Sequence, residues 1–490
     1  MTHLVTMRDA LADPHLLGSV MPGETWKAWR ALLIAIMGEP LDDDERAIFK
    51  ALTGRDREPL ELVEEFWAVV GRRGGKTRAA AVLAVYFGSF VDHSEKLAQG
   101  ERGVIPFMAA SSRQAAVAFG YAVGIFETVP MLSGLVINQT AETISLSTGV
   151  DLEVRPASYR TARGITAVAA IGDEAAFWRS DNSANPDTEI LNAIRPALAT
   201  TGGPLIVISS PYARRGEVYA TWKRHFGPKG DPLILVAQAP SKTLNPSLPQ
   251  KVIDRAIERD EASARAEYLA EFRTDIEAFV TREVVEACVS LGVYERAPVA
   301  MVQYKAFVDP SGGSADSFTL AIGHLEGTGL KKTAVLDAVR ETKPPFSPEA
   351  VVADYAALLK RYRVSTIVGD RYAGEWPREA FRNHHITYEA SASPKSDLYR
   401  DLLPYLNSGE VDLLESERIV SQLIGLERRT SRSGKDSIDH GPGGHDDVAN
   451  AVAGVLSTLK TKASGYTLDN VGTDEEISRA WRRLQYGGWF

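Results

Sequence analysis

The feature that most constrains this chain is a short apolar strand running directly into a glycine-rich turn and then a helix. Phe66-Trp67-Ala68-Val69-Val70 leads into Gly71-Arg72-Arg73-Gly74-Gly75-Lys76-Thr77, and an alanine-rich stretch follows. A strand feeding such a turn aims backbone N–H groups and the positive end of a helix dipole at one spot, which suits a polyphosphate. Lys76 can then reach β- and γ-phosphates, and the Thr77 hydroxyl can hold Mg²⁺. Only three residues separate Gly71 from Gly75, one fewer than the general phosphate-loop pattern. Taken alone, the heptapeptide could also be a charged surface turn.

A second element argues against that bland alternative. The apolar run Thr166–Ile171 leads into Gly172-Asp173-Glu174. A strand ending in two acids is what a nucleotide hydrolase needs. Asp173 is expected to orient the water shell of Mg²⁺, and Glu174 to act as general base on the attacking water. A third run, Leu205–Ile208, ends in Ser209-Ser210-Pro211, small hydroxyl residues that could sense a γ-phosphate. Arg72, Arg73, Arg160 and Arg163 are all candidates to meet transition-state charge, and the residues alone do not choose among them. The first glutamine is Gln99, so no glutamine precedes the loop to read adenine.

At 490 residues the chain exceeds one ordinary core, and two or three domains are expected. From about 65 to 240, apolar runs (Phe66–Val70, Ile105–Ala110, Thr143–Ser147, Thr166–Ile171, Leu205–Ser209) alternate with helical stretches, the mark of an α/β fold with a parallel sheet. The division read from the sequence is a helical segment over 1–60, a phosphate-loop ATPase domain over 61–245 and charged linker helices over 246–298. A second α/β domain follows over 299–462, with a sparse aromatic tail over 463–490. No apolar run approaches the ~20 residues of a membrane span, and Asp9 and Asp13 interrupt the N-terminus as a signal peptide. The lone Cys288 excludes a disulfide framework and cysteine-rich zinc sites and fits a reducing cytoplasm. A net charge of −9 argues against a protein that coats nucleic acid, although local basic patches can still grip it.

The C-terminal half carries spaced acids. Asp309 follows the run Gln303–Val308, Asp370 follows Thr366–Gly369, and Asp446 and Asp447 open a helix after Gly443-Gly444-His445. Each alone is common at a strand end or helix start. Converging, they form a hard-oxygen site for Mg²⁺ or Mn²⁺, and a pair of such ions supports phosphodiester cleavage. The stretch Arg428-Arg429-Thr430-Ser431-Arg432-Ser433-Gly434-Lys435 is a basic hairpin or loop able to meet DNA phosphates, or equally a solvated loop, and Lys395 is a weaker candidate.

In this order the motifs resemble the large terminase subunit of tailed bacteriophages. The resemblance runs from about Phe49 to Leu456, through FKALTGR, GRRGGKT, AASSRQAA, ARGITAVAAIGDEAAFW, LIVISSP, AEYLAEF, FVDPSGG, IVGDRYAG and GHDDVANAV. The short phosphate loop is a habit of that family. The resemblance implies an N-terminal RecA-like (additional-strand, catalytic-glutamate) ATPase domain and a C-terminal ribonuclease H-like nuclease with a mixed sheet. It implies ATP and Mg²⁺ held by the loop residues Gly71 to Thr77 with Asp173, and catalysis by Glu174. It also implies nuclease metals on Asp309, Asp370 and one of Asp446 or Asp447, and it makes Arg163 the closest match to an arginine acting on a neighbouring subunit. The implied partners are double-stranded DNA, the procapsid portal, a small terminase subunit and further copies in a ring. The implied setting is the host bacterial cytoplasm, transiently at the portal and outside the mature virion, with no membrane contact.

Other readings share parts of this pattern. A repair helicase or translocase fused to a nuclease would share the ATPase half, but no second motor domain is visible. An integrase or transposase would make the glycine turn incidental. A non-catalytic packaging scaffold would keep both sites in degenerate form.

Overall fold

The computed structural model describes residues 2–158, 164–178, 186–314, 316–327, 332–370, 375–430, 436–442 and 444–461. The chain divides into two compact units, one reaching Glu277 and the other starting at Ala278, with the short segment from Arg429 counted with the first.

The first unit is built on eight strands: β1 (Glu65–Val70), β2 (Gly103–Ala109), β3 (Val136–Gln139), β4 (Thr143–Leu146), β5 (Val150–Pro156), β6 (Ala170–Asp173), β7 (Leu205–Ser209) and β8 (Ile234–Ala239). Their order across the sheet is β8-β1-β7-β6-β2-β5-β4-β3. The first six are parallel, and β4 and β3 add an antiparallel edge. β7 lies between the strand that enters the glycine turn and the strand that ends in Asp173. This is the additional strand of the RecA-like phosphate-loop fold.

Burial explains why the central strands read as plain apolar runs. β1, β2, β6 and β7 are covered on both faces and buried almost throughout. The helix Lys76–Ser89 is apolar on every side because it too is enclosed, with Ala79 to Ser89 all buried. Residues 1–60 supply the helices Met7–Ala12, Lys27–Ile36 and Asp43–Thr53. Their Trp29, Leu32, Leu33, Ile36 and Phe49 join the core around Phe66, Ala68 and the Lys76–Ser89 helix. A capping box between Asp42 and Glu45 starts the third of these helices, and Gly54 at φ +69° ends it.

Two local expectations are corrected. The strand read over Thr166–Ile171 is Ala170–Asp173. Ala167 instead donates to the Ala197 carbonyl and makes an isolated bridge to Val104, so the ladder with β7 begins only at Ala170. The charged stretch after 245 does form helices, Gln250–Arg259 and Glu261–Leu269, but it continues into a strand, Ile276–Ala278.

The main sheet of the second unit has seven strands among the described residues: β9 (Val289–Ser290), β10 (Tyr304–Asp309), β11 (Phe318–Glu326), β12 (Thr333–Thr342), β13 (Thr366–Gly369), β14 (Thr387–Ala390) and β15 (Val411–Leu414). Their order is β9-β15-β12-β11-β10-β13-β14. β10, β11 and β12 form an antiparallel meander, and β13 and β14 extend it in parallel beside β10. That is the mixed sheet of a ribonuclease H-like fold. Side chains alternate between its faces. Phe307 packs with Val448, Val452 and Leu456 of the helix Asp447–Thr461, while Val308 packs with Val351, Val352 and Leu359 of the helix Pro348–Arg361. The first helix approaches so closely that a Cβ on Gly454 would stand 2.3 Å from the Phe307 ring. Among the described residues no helix is long and apolar enough to cross a membrane.

Candidate functional site

The glycine turn leaves β1 at Gly71, and the following helix starts at Lys76. Gly75 caps that helix at φ +86°, a conformation that disfavours any side chain. A Cβ on Gly74 would fall 2.5 Å from Val70 Cγ1, so the loop can fold back on its own strand only with glycine there. Two side chains from distant sequence hold the loop's carbonyls. The buried Trp29 Nε1 donates to Gly74 O at 2.8 Å, and Asn245 Nδ2 donates to Arg73 O at 2.8 Å. Arg72 forms an ion pair with Glu267 at 3.5 Å, while the Arg73 side chain is exposed.

Lys76 is only 5% exposed and its ammonium is fully engaged. Nζ donates to Val70 O at 3.0 Å and Ser210 Oγ at 2.9 Å, and lies 3.2 Å from Glu174 Oε1. The other Glu174 oxygen accepts from the Ser210 backbone N–H at 2.9 Å and from Ser209 Oγ at 3.4 Å. Loop lysine, acidic strand end and the serines closing β7 therefore meet at one point. Glu174 sits at φ +51°, with its N–H on Ile208 O at 2.7 Å. A left-handed glutamate is a strained residue of the kind found at functional sites.

Asp173, the last residue of β6, is buried beside Glu174, and burial first and then that neighbouring charge push its carboxyl up to about 7. Its Oδ1 has no hydrogen-bond partner among the described residues. A buried carboxylate oxygen without a donor, in a centre that also offers hydroxyls, fits a hard cation such as Mg²⁺. Thr77 follows Lys76 in the first helical turn and is half-buried. Arg160 and Arg163 lie outside the described residues.

In the second unit, Asp309, Asp370, Asp446 and Asp447 line one cavity of about 570 Å³, together with Asp316, Lys395 and Asn450. Parallel pairing of β10 with β13 sets Val308 opposite Gly369, so Asp309 and Asp370 leave neighbouring strands at the same edge. The Asp370 N–H donates to Val308 O at 3.2 Å, and Tyr388 Oη donates to the Asp370 carbonyl at 2.8 Å. Asp447 opens the helix that packs on β10, and Asn450, on the same helix face, donates to Asp309 Oδ2 at 2.8 Å.

Burial, and then repulsion from Asp447, Asp370 and Asp446, push the Asp309 carboxyl up to about 8. Burial followed by Asp446 and Asp316 raises Asp447 as well. Carboxylates crowded enough to hold protons, with Asn450 Oδ1 buried and unpaired among the described residues, form an all-oxygen donor set suited to Mg²⁺ or Mn²⁺.

The adjacent aspartates have different surroundings. Asp446 is 5% exposed and engaged by protein donors, with Tyr399 Oη at 2.8 Å and Lys395 Nζ at 2.9 Å from Oδ2. The Asp447 carboxylate accepts a long 3.4 Å bond from the Ser317 N–H. Sequence reading missed Tyr399 and Asp439, and gave Asn450 no role. Of these only Asn450 left a signal, its spacing of one helical turn from Asp446 and Asp447. In the basic loop, Arg428 pairs with Asp436, and residues 431–435 lie outside the described residues.

No family model matches the chain, and no curated protein matches it. Among solved structures, the large terminase of bacteriophage HK97 is 17% identical, covering 88% of this chain and 94% of that one, with a TM-score of 0.36. A large terminase from a thermophilic bacteriophage is 11% identical over 81% of this chain and 94% of that one, at 0.35. The large terminase nuclease of thermophilic phage G20c, with bound magnesium, is 19% identical over 36% of this chain and 94% of that one, at 0.31. At these identities and TM-scores the likenesses say nothing about activity.

Proposed function

We propose that the chain is a DNA-packaging motor and nuclease of the large-terminase kind, hydrolysing ATP in its first unit and cutting DNA in its second. The observation that carries this reading is the pairing, on one polypeptide, of a Lys76–Glu174 centre at a glycine turn with a separate cavity lined by five aspartates.

In the first unit, Mg²⁺ on Thr77 and Asp173 would supply positive charge to the β- and γ-phosphate oxygens. The chain's own groups do the rest. The phosphate oxygens of a triphosphate compete with Glu174 for the Lys76 ammonium. Glu174, still held by the Ser210 N–H, is then left to accept a proton from the attacking water at its carboxylate. Ser209 and Ser210 close β7, so a change at Glu174 is felt directly at that strand end. Arg163 remains the candidate arginine for a neighbouring subunit's nucleotide.

In the second unit, Asp309, Asp370 and Asp447 would hold Mg²⁺ or Mn²⁺, which lowers the pKa of water and stabilises the leaving oxygen. Asn450 keeps Asp309 oriented, and Tyr399 and Lys395 fix Asp446 beside them. Double-stranded DNA is the substrate of both units. The portal of an empty procapsid, a small terminase subunit and further copies in a ring are the partners, in the host cytoplasm.

The test is ATP-dependent packaging into purified procapsids, read as DNA protected from added nuclease. Wild-type protein with its small subunit should protect DNA, and Lys76→Ala should protect none. Absence of protection, of ATP hydrolysis and of plasmid cleavage in the wild type would favour a non-catalytic scaffold.

A further inference from the structure

Lys395 carries an inference about the nuclease centre that goes beyond the acids. It opens the helix Lys395–Asn407 and is 44 residues from Asp439 and 51 from Asp446 in sequence. Yet its ammonium lies 2.8 Å from Asp439 Oδ1 and 2.9 Å from Asp446 Oδ2. Its side chain is 29% exposed, so it borders the cavity rather than being sealed beneath it. One ligand atom each from Asp439, His440 and Asp446 lie within 4.8 Å of one another, a spacing that would suit a metal ion. The chain has placed its own cation against two of these three residues.

We propose that Lys395 is a positioning residue of the nuclease centre: its ammonium takes the cation position between Asp439 and Asp446 and reserves divalent metal for Asp309, Asp370 and Asp447. The inference rests on the nuclease reading of the cavity. Two consequences follow from charge alone. Asp446 is neutralised by a fixed positive group and adds little to metal recruitment. By cancelling one carboxylate charge at the cavity wall, that same group lessens the repulsion that a DNA phosphate entering the site meets. Tyr399 supports the arrangement by donating to the same Asp446 oxygen that faces Lys395.

The experiment counts bound Mn²⁺ by electron paramagnetic resonance of the free ion, and measures plasmid nicking at saturating Mn²⁺, on the full chain. Lys395→Met empties the position between the acids. It should bind one more Mn²⁺ than wild type, at Asp439, His440 and Asp446, while cutting about tenfold more slowly. Lys395→Arg should keep the wild-type ion count and recover most of the rate. Adding Asp439→Asn to Lys395→Met should abolish the extra ion, which separates site formation from misfolding. A Lys395→Met protein with the wild-type ion count, or with the wild-type cutting rate, overturns the proposal. Failure of the nuclease reading itself appears differently, as wild-type protein that leaves plasmid uncut at every Mn²⁺ concentration while the ion count still reports on Lys395.

Discussion

On the function proposed above, the two centres solve opposite electrostatic problems. In the first unit the chain offers positive charge to an anion. Lys76 is buried at a helix start, and the acids Asp173 and Glu174 are adjacent in sequence. In the second unit it gathers negative charge for cations, drawing Asp309, Asp370, Asp446 and Asp447 from three separate places to one cavity. The anion-holding turn of the first can be encoded in one contiguous heptapeptide because backbone N–H groups do much of the binding, although Glu174 and Ser210 reach Lys76 from other strands. The second cannot, because metal ligation needs side chains, and the fold must bring them together.

The largest expected effect tests whether the anion centre stands alone. Lys76→Ala should lower ATP turnover by about 10³-fold or more, with Mn²⁺-dependent plasmid cutting within about twofold of wild type. A parallel collapse of cutting would merge the two regions into one functional unit. Next in size, Asp309→Asn should slow plasmid cleavage by about 10²-fold or more and leave steady-state ATP hydrolysis intact.

Smaller effects sharpen the contrast. Trp29→Phe keeps an aromatic ring but leaves the buried Gly74 carbonyl without its donor, at a cost of about 1–3 kcal/mol. Nucleotide affinity by titration calorimetry should fall by roughly tenfold, and Mn²⁺ binding should not change. Unchanged nucleotide affinity would remove the N-terminal helix from the loop's support.

The acids also predict a pH response. Asp309 at about 8 and Asp173 at about 7 hold protons in the folded chain that the unfolded chain gives up in the ordinary carboxylate range. Stability from this source is complete at acidic pH and is lost as pH rises through about 7 and 8. Without divalent ions, the thermal midpoint should fall by a few degrees (~3 °C) between pH 6 and pH 9. Asp309→Asn should flatten the upper part of that slope. Added Mg²⁺ should also flatten it, because the metal binds the ionised carboxylates. A midpoint that rises with pH in metal-free buffer would contradict the burial of these acids.

The same contrast explains what the sequence disclosed. The glycine turn, Asp173-Glu174 and the serines after β7 were legible because each sits at the end of a buried apolar strand. β5 was missed because Val150–Pro156 alternates buried and half-buried residues and so shows no continuous run. β15 was missed because it is four residues long and includes Asp412. Asp309 and Asp370 were legible as strand-end acids, but their convergence depends on the β10–β13 register. Lys395 was visible only as a generic phosphate contact, since nothing near it in sequence announces Asp439 or Asp446. Trp29 read as one more apolar helix residue, because a pattern of burial does not show that an indole N–H is holding a loop carbonyl.

The most direct measurement is a paired assay of ATP hydrolysis and Mn²⁺-dependent plasmid cleavage on Glu174→Ala and Asp370→Ala. Glu174→Ala should bind ATP without turning it over and still cut DNA, and Asp370→Ala should hydrolyse ATP and leave DNA whole. Loss of both activities in either protein, or survival of both, would contradict the assignment of two independent centres to one chain.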